Sequence, residues 1–233
     1  MLEVQSLDAW YGQAQILYGV NLSVGAGECV ALVGRNGAGK STTMKAIMGL
    51  MANKRGRVAF RGRDISALPA YRIGRLGLGW VPEDRRIFTD LTVRENLAVA
   101  KQPPREGAPE WTPERLYELF PNLGAMPDRP GGRMSGGEQQ MLTVARTLMG
   151  NPDLVLLDEP SEGVAPIIVE EMARMIVSLK GAGVAVLLSE QNLHFARLVS
   201  DRAVVLEKGE VKFDGTMEAL MSDQVLLRTH LSL

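Results

Sequence analysis

Cys29-Val30-Ala31-Leu32-Val33-Gly34-Arg35-Asn36-Gly37-Ala38-Gly39-Lys40-Ser41-Thr42 joins a short apolar run to a glycine-rich turn, and a helical pattern from Thr42 to Met48 follows. The apolar run reads as a strand buried on both faces, as in a parallel sheet covered by helices. Residues Gly34 to Ser41 match G-x-x-x-x-G-K-[ST] in the strand–turn–helix setting that this motif requires. Glycines let the backbone curl so that its N–H groups point inward at phosphate oxygens. The start of the helix adds a partial positive charge. In this arrangement Lys40 reaches β- and γ-phosphates, and the Ser41 hydroxyl ligates Mg²⁺.

Two further apolar runs extend the sheet, Leu154–Leu157 and Val184–Leu188. Between them Val169, Met172, Ala173 and Ile176 recur at helical spacing and Gly181 stops the helix, which completes a βαβ unit. The first run ends in Asp158-Glu159, and ligands of open α/β sheets bind at the carboxyl ends of strands. Asp158 is placed to hold Mg²⁺ through its water shell, and Glu159 to polarise an attacking water as general base. The ends of the chain read as more antiparallel. Leu2–Trp10, Asn21–Val24 and Arg57–Phe60 are short strands, and Ala203–Glu207 with Glu210–Phe213 reads as a hairpin turning at Lys208-Gly209. The proline-rich middle, from about Pro82 to Arg133, reads as an inserted, partly helical subdomain with helices at Val93–Ala100 and Pro113–Leu119.

Composition excludes several classes. With 26 basic and 27 acidic side chains the net charge is −1, which leaves no phosphate-seeking excess for nucleic acid. The single cysteine, Cys29, allows no intrachain disulfide and reads as a small core residue in a reducing compartment. No apolar run approaches the ~18 residues of a membrane span. Met1 to Asp8 lacks the basic region of a signal peptide. A membrane role therefore comes through a partner. Charge is nevertheless uneven: residues 54–105 hold 12 Lys/Arg against 5 Asp/Glu. That stretch reads as a solvated basic face, or as a docking surface in which Arg85 and Arg86 take part.

Ser135-Gly136-Gly137-Glu138-Gln139 opens another helix, with Met141, Leu142, Val144, Ala145, Leu148 and Met149 at helical spacing and Gly150 at its end. Ser135 is a good N-cap, and the glycines leave backbone N–H groups accessible to an anion. Taken alone, the segment reads as a capped helix. Beside the other two motifs, it reads as serving a nucleotide held by a partner chain, because one nucleotide needs only one such helix end.

On these motifs the sequence resembles the ATP-binding subunits of ABC transporters over nearly its whole length. The resemblance implies an α/β P-loop NTPase fold: a RecA-like parallel sheet core, an antiparallel β portion and an inserted helical subdomain. It implies one domain over 1–233, with 1–81 and 151–233 forming the core and antiparallel portion, and 82–150 the helical subdomain. It implies that Ser135, Gly136, Gly137, Glu138 and Gln139 reach across a head-to-tail dimer to the γ-phosphate of the other subunit's ATP. Tyr11 matches the adenine-stacking aromatic, and a tyrosine face suits a purine. Gly34, Arg35, Asn36, Gly37, Ala38, Gly39, Lys40, Ser41 and Thr42 would hold the nucleotide, Ser41, Asp158 and Glu83 the metal, and Glu159 and Gln191 the chemistry. Ser161-Glu162-Gly163-Val164-Ala165-Pro166 matches the dimer-contacting loop.

Two positions depart from the family pattern. Glu83 in Val81-Pro82-Glu83 stands where the family has glutamine, and Gln191 in Ser189-Glu190-Gln191-Asn192 where it has histidine. Glutamine hydrogen-bonds a γ-phosphate but cannot become a cation near neutral pH. His194 and His230 read as structural or surface residues. These departures, with Leu91-Thr92-Val93-Arg94-Glu95-Asn96-Leu97 and Ser161–Pro166, are similar to importers of branched-chain and other hydrophobic amino acids, and to the shorter of their two ATPase subunits. Importers of urea and short amides carry similar motifs. The implied partners are a second ATPase subunit (self or paralogue), two membrane-spanning permeases whose helix enters the groove of the insertion, and, indirectly, a periplasmic solute-binding protein. The implied place is the cytoplasmic face of the inner membrane. A soluble ABC ATPase working on ribosomes or DNA would usually pair two units or carry coiled arms, and neither is present. A non-hydrolysing scaffold is favoured by Gln191 and opposed by Glu159.

Overall fold

The computed structural model describes residues 1–231. Two sheets face each other across the main core. The first is antiparallel, in the order β2-β1-β4-β5: β1 (Leu2–Tyr11), β2 (Ala14–Val24), β4 (Asn53–Phe60) and β5 (Arg63–Asp64). The second has six strands in the order β10-β9-β3-β8-β7-β6: β3 (Cys29–Val33), β6 (Leu78–Val81), β7 (Leu154–Asp158), β8 (Ala185–Glu190), β9 (Arg202–Glu207) and β10 (Glu210–Thr216). All of its ladders are parallel except β9 with β10.

Helix α1 (Lys40–Ile47) packs between the sheets, its Met44 and Ile47 buried with Leu7, Leu17, Leu32, Phe60 and Leu156. Each such side chain contributes on the order of 1.5–3 kcal/mol by leaving water. The other face of the parallel sheet is covered by α6 (Gly136–Leu148) and α7 (Pro166–Gly181), which bury Leu142, Leu148, Met172 and Ile176 against Val155, Leu157 and Val186. Also on the chain are α2 (Ala70–Arg75), α3 (Val93–Ala100), α4 (Pro113–Leu119), α5 (Pro121–Gly124), a 3-10 turn at Gly131–Arg133, α8 (Leu193–Val199), α9 (Met217–Ser222) and α10 (Gln224–Leu226). Capping fixes several starts. Thr92 with Glu95, and Ser135 with Glu138, form capping boxes, Asn192 caps α8, and Pro166 occupies the first turn of α7.

The βαβ unit, the N-terminal antiparallel strands and the helices of the insertion stand where the sequence places them. Four details differ. Strand β2 begins at Ala14 rather than Asn21, because a tight turn at Gly12 returns the chain directly beside β1 (Tyr11↔Ala14). Strand β4 begins at Asn53, its polar residues paired with β1 (Asp8↔Arg55) and its ladder interrupted near Gly56, which has φ +105°. The C-terminal end is not antiparallel throughout: the expected hairpin of β9 and β10 forms, but β9 also runs parallel to β3 and extends the main sheet. Helix α1 starts at Lys40 rather than Thr42, at the left-handed Gly39. The tail docks on the same layer: Leu227 is buried and Leu226 and Leu231 pack against Ala31, Val33 and Leu220. His194 is exposed, and His230 bonds through Nδ1 to Glu207 Oε2 at 2.7 Å.

Candidate active site

The loop between β3 and α1 wraps around the Lys40 side chain. Gly37 (φ +79°) and Gly39 (φ +107°) adopt left-handed conformations that other residues resist. A Cβ on Gly39 would come within 2.8 Å of Leu17 Cδ2, and one on Gly34 would overlap the Leu206 carbonyl oxygen. Glycine is therefore required on two counts, conformation and close approach. Lys40 is buried; its Nζ donates to Gly34 O at 2.8 Å and Arg35 O at 3.3 Å and pairs with Glu159 Oε1 at 3.0 Å. Ala38 ties the loop to the far end of the chain, because its carbonyl accepts from Gly209 N at 2.9 Å.

Ser41, in the first turn of α1, donates from Oγ to Asp158 Oδ1 at 3.0 Å. Asp158 ends β7 and is buried, and its carboxyl is pushed above the usual range by that burial and by the neighbouring Glu159 and Glu83, against the hydrogen bond from Ser41. Glu159 turns the chain sharply out of the sheet with φ +47°, held by its N–H donating to Ser189 O at 3.0 Å. Burial pushes its carboxyl up, but hydrogen bonds with Glu162 and Gln191 and the ammonium of Lys40 outweigh it and hold the group below the usual range. Gln191 Nε2 donates to Glu159 Oε2 at 3.0 Å.

A cleft of ≈ 500 Å³ gathers Tyr11, Asn36, Gly37, Gly39, Lys40, Ser41, Thr42, Glu83 and Glu159 of the predicted set. Tyr11, at the end of β1, presents half of its surface to solvent. Ser41 and Glu83 also line a second recess of ≈ 200 Å³, together with Asp158. Gly34, Arg35 and Ala38 do not line the main cleft; they stand behind it as acceptors and packing surfaces. None of Ser135 to Gln139 lines it either. Ser135 N donates to Glu138 Oε2 at 2.7 Å, Glu138 N donates to Ser135 Oγ at 3.3 Å, and Gln139 Nε2 donates to Gly131 O at 3.1 Å.

The cleft also contains Ile16 and Glu162, which the sequence did not single out as site residues. Glu162 was legible only as part of a loop. The left-handed turn at Glu159 brings it back, Glu162 N donating to Glu159 O at 3.1 Å. Its carboxyl, hydrogen-bonded to and repelled by that of Glu159, is pushed up to about 7. Glu190 is buried like Asp158 and Glu159; it accepts from Ser161 N at 3.1 Å and Asn192 N at 3.3 Å and so braces the loops around Glu159 and Gln191. An apolar run ending in Ser189-Glu190 parallels the run ending in Asp158-Glu159, and that likeness could have flagged it. In the basic stretch, Arg86 pairs outward with Asp84 at 2.8 Å, whereas Arg85 turns inward against Gly136.

The donors suit a magnesium nucleotide. A hydroxyl and a small number of carboxylate oxygens meet at the mouth of an amide cradle, and no cluster of three or more metal-ligating side chains occurs among the described residues. Mg²⁺ is typically held by one or two carboxylates together with substrate phosphates rather than by a full protein cage.

Comparisons with known proteins point to one family. The family model described as ABC transporter matches residues 17–162. The chain is 41% identical over 223 residues, 96% of each chain, to the "High-affinity branched-chain amino acid transport ATP-binding protein BraG" of Pseudomonas aeruginosa. It is 34% identical to the "Lipopolysaccharide export system ATP-binding protein LptB" of Haemophilus influenzae, over 99% of this chain and 97% of that one. Among solved structures it resembles one described as "Structure of ATP binding subunit of ABC transporter", with 30% identity, a TM-score of 0.82, and coverage of 99% of this chain and 96% of that one.

Proposed function

The chain belongs to the ABC transporter family as an ATP-binding, ATP-hydrolysing subunit, and from that premise we propose that it powers uptake of branched-chain amino acids across the cytoplasmic membrane. The observation that carries the substrate is the 41% identity across 96% of both chains to a subunit named for that transport, against 34% for the lipopolysaccharide-export relative. The motif runs at Val81–Phe88, Leu91–Leu97 and Ser161–Pro166 support the same branch.

In this reading Tyr11 stacks on adenine, and the backbone of Gly34 to Gly39 with Lys40, Ser41 and Thr42 grips the phosphates. Mg²⁺ would be held by Ser41 and Asp158 with Glu83 beside them, and would neutralise phosphate charge there. Glu159 is the general base. Its carboxyl lies below the usual range, so it is ionised near neutral pH and able to accept a proton from water. Gln191, donating to Oε2, orients that carboxylate. Lys40 pairs with Oε1, and when the ammonium turns to phosphate that oxygen is released. Ser135 to Gln139 stand outside the chain's own cleft, which supports service to the ATP of a second, head-to-tail subunit. Residues 82–150 form the helical subdomain that receives a permease helix. In this reading the subunit sits peripherally at the cytoplasmic face, held there by its permeases; no helix among the described residues is long and apolar enough to cross a membrane.

The test is to isolate the chain from membranes with its permeases, reconstitute them in liposomes with the solute-binding protein, and measure ATP hydrolysis against solute. Leucine, isoleucine and valine should stimulate it. Stimulation by urea or short amides alone, or by no solute, overturns the substrate reading and leaves the ATPase reading standing.

A further inference from the structure

We propose that Arg85 is a further nucleotide-contacting residue: its guanidinium, laid against Gly136 in the first turn of α6, donates to the γ-phosphate of the ATP held by the facing subunit. The proposal rests on the reading that Ser135 to Gln139 meet that ATP.

Three observations converge on Arg85. The first is its place. Nη1 lies so close to Gly136 that any Cβ there would overlap it, and Nη2 lies 3.9 Å from where a Cβ on Gly163 would stand. One side chain thus lies against the helix start and close to the loop that follows Glu159. The second is its anchoring. Arg85 has φ +53°, and its carbonyl accepts from Thr143 Oγ1 at 2.9 Å, two turns into α6. The residue is fastened to the helix by its backbone, and its side chain runs back along the helix to Gly136.

The third is electrostatic. The amino end of a 13-residue helix repels a cation. The neighbouring arginines find carboxylates, Arg86 with Asp84 and Arg129 with Glu138, but among the described residues Arg85 pairs with none. The capping box uses the N–H groups of Ser135 and Glu138, while those of Gly136 and Gly137 donate to no acceptor among the described residues. A guanidinium and two free amides therefore share one small region with no negative group bound to them. A phosphate oxygen placed between them turns that repulsion into charge-assisted hydrogen bonds, and a planar guanidinium suits a terminal phosphate. The same loop carries Glu83, which lines the chain's own cleft. The two nucleotides of a dimer are then linked through one strained turn.

The experiment compares E159Q with E159Q/R85N and E159Q/R85K, measuring Mg-ATP-dependent dimerisation by size exclusion and Mg-ATP affinity of the monomer by fluorescence at low protein concentration. Asparagine is chosen because it tolerates a positive φ. E159Q should dimerise with Mg-ATP. R85N in that background should need about 10- to 100-fold more ATP for half-maximal dimerisation, the loss of one charge-assisted hydrogen bond, with the monomer's affinity unchanged. R85K should recover part of the loss. Dimerisation of E159Q/R85N at the parent's ATP concentration overturns the proposal. So does a parallel loss of monomer affinity, which would place the effect in Arg85's own chain. An E159Q parent that forms no ATP-driven dimer, either with itself or with a paralogous ATPase subunit isolated in the same membrane complex, overturns the facing-subunit reading itself, and this proposal with it.

Discussion

Replacing Glu159 by glutamine should separate binding from turnover in a direction set by Lys40. The Lys40 ammonium faces Glu159 Oε1 at 3.0 Å, with both residues buried. At an effective dielectric constant of about 20 that pair is worth on the order of 5 kcal/mol of gross attraction. Phosphate must draw Lys40 away from it. Most of the loss is repaid by the phosphate charge, so the net competition is about 1–2 kcal/mol, and E159Q should bind ATP roughly 5- to 30-fold more tightly than wild type. Lys40 keeps the carbonyls of Gly34 and Arg35, at 2.8 and 3.3 Å, as acceptors. Folding stability should therefore fall by about 1–3 kcal/mol, short of the ~3–5 kcal/mol of a buried charge left wholly unpaired. Hydrolysis should drop by about 10²–10⁴, the contribution of a positioned general base. Phosphate release gives the rate, titration with a fluorescent ATP analogue the affinity, and urea denaturation the stability. Weaker ATP binding by E159Q would refute the competition between carboxylate and phosphate. A loss of less than tenfold in rate would refute Glu159 as base.

Other consequences follow from the neighbouring groups. Asp158 has its carboxyl pushed up first by burial, so at neutral pH the folded, metal-free chain holds an unfavourable charge; D158N should raise Tm while Mg²⁺-dependent hydrolysis collapses, and a lowered Tm would contradict the cause assigned to the shift. Glu162 titrates near 7 in the fold and near 4.3 when unfolded, so its contribution is complete at acid pH and is lost as pH rises through about 7. Thermal stability of the nucleotide-free chain should therefore decline from about pH 5 to pH 8 by a component that E162Q removes; equal slopes in the two proteins would count against it. Gly209 has φ +81° and no room for a Cβ beside the Ile16 carbonyl, so G209A should cost about 2–5 kcal/mol and weaken ATP binding through Ala38. An unchanged urea midpoint would show that the turn is not tied to the loop.

The parts of this fold that can be read along the chain are those whose cause is local. The apolar run before Gly34, the carboxylates ending β7 and the capped start at Ser135 each carry their own reason in adjacent residues. Strand β6 does not. Its Leu78-Gly79-Trp80-Val81 contains a glycine because a Cβ there would come within 2.7 Å of Thr147 Cγ2, a contact made only when α6 is in place. Gly77, at φ +107°, disguises its beginning as a loop. The direction of β9 depends on its pairing with β3, far away in sequence, so a hairpin pattern could not reveal which sheet it joins. The candidate site divides in the same way. Lys40, Ser41, Asp158 and Glu159 follow from motifs, whereas Glu162 and Arg85 reach their places through positive φ angles that no spacing announces.

Strand β3 is made early and completed late. Its two neighbours, β8 and β9, come from residues 185–207, and the brace on Ala38 comes from residue 209. A nascent chain that has just displayed Gly34 to Ser41 therefore carries an apolar strand with both edges unpaired and a loop without its supports. Contacts of such long sequence separation close slowly and leave sticky intermediates in the meantime. Competence to hold a nucleotide should arrive only when synthesis is nearly finished, so fragments ending before residue 209 should neither retain ATP nor escape chaperones.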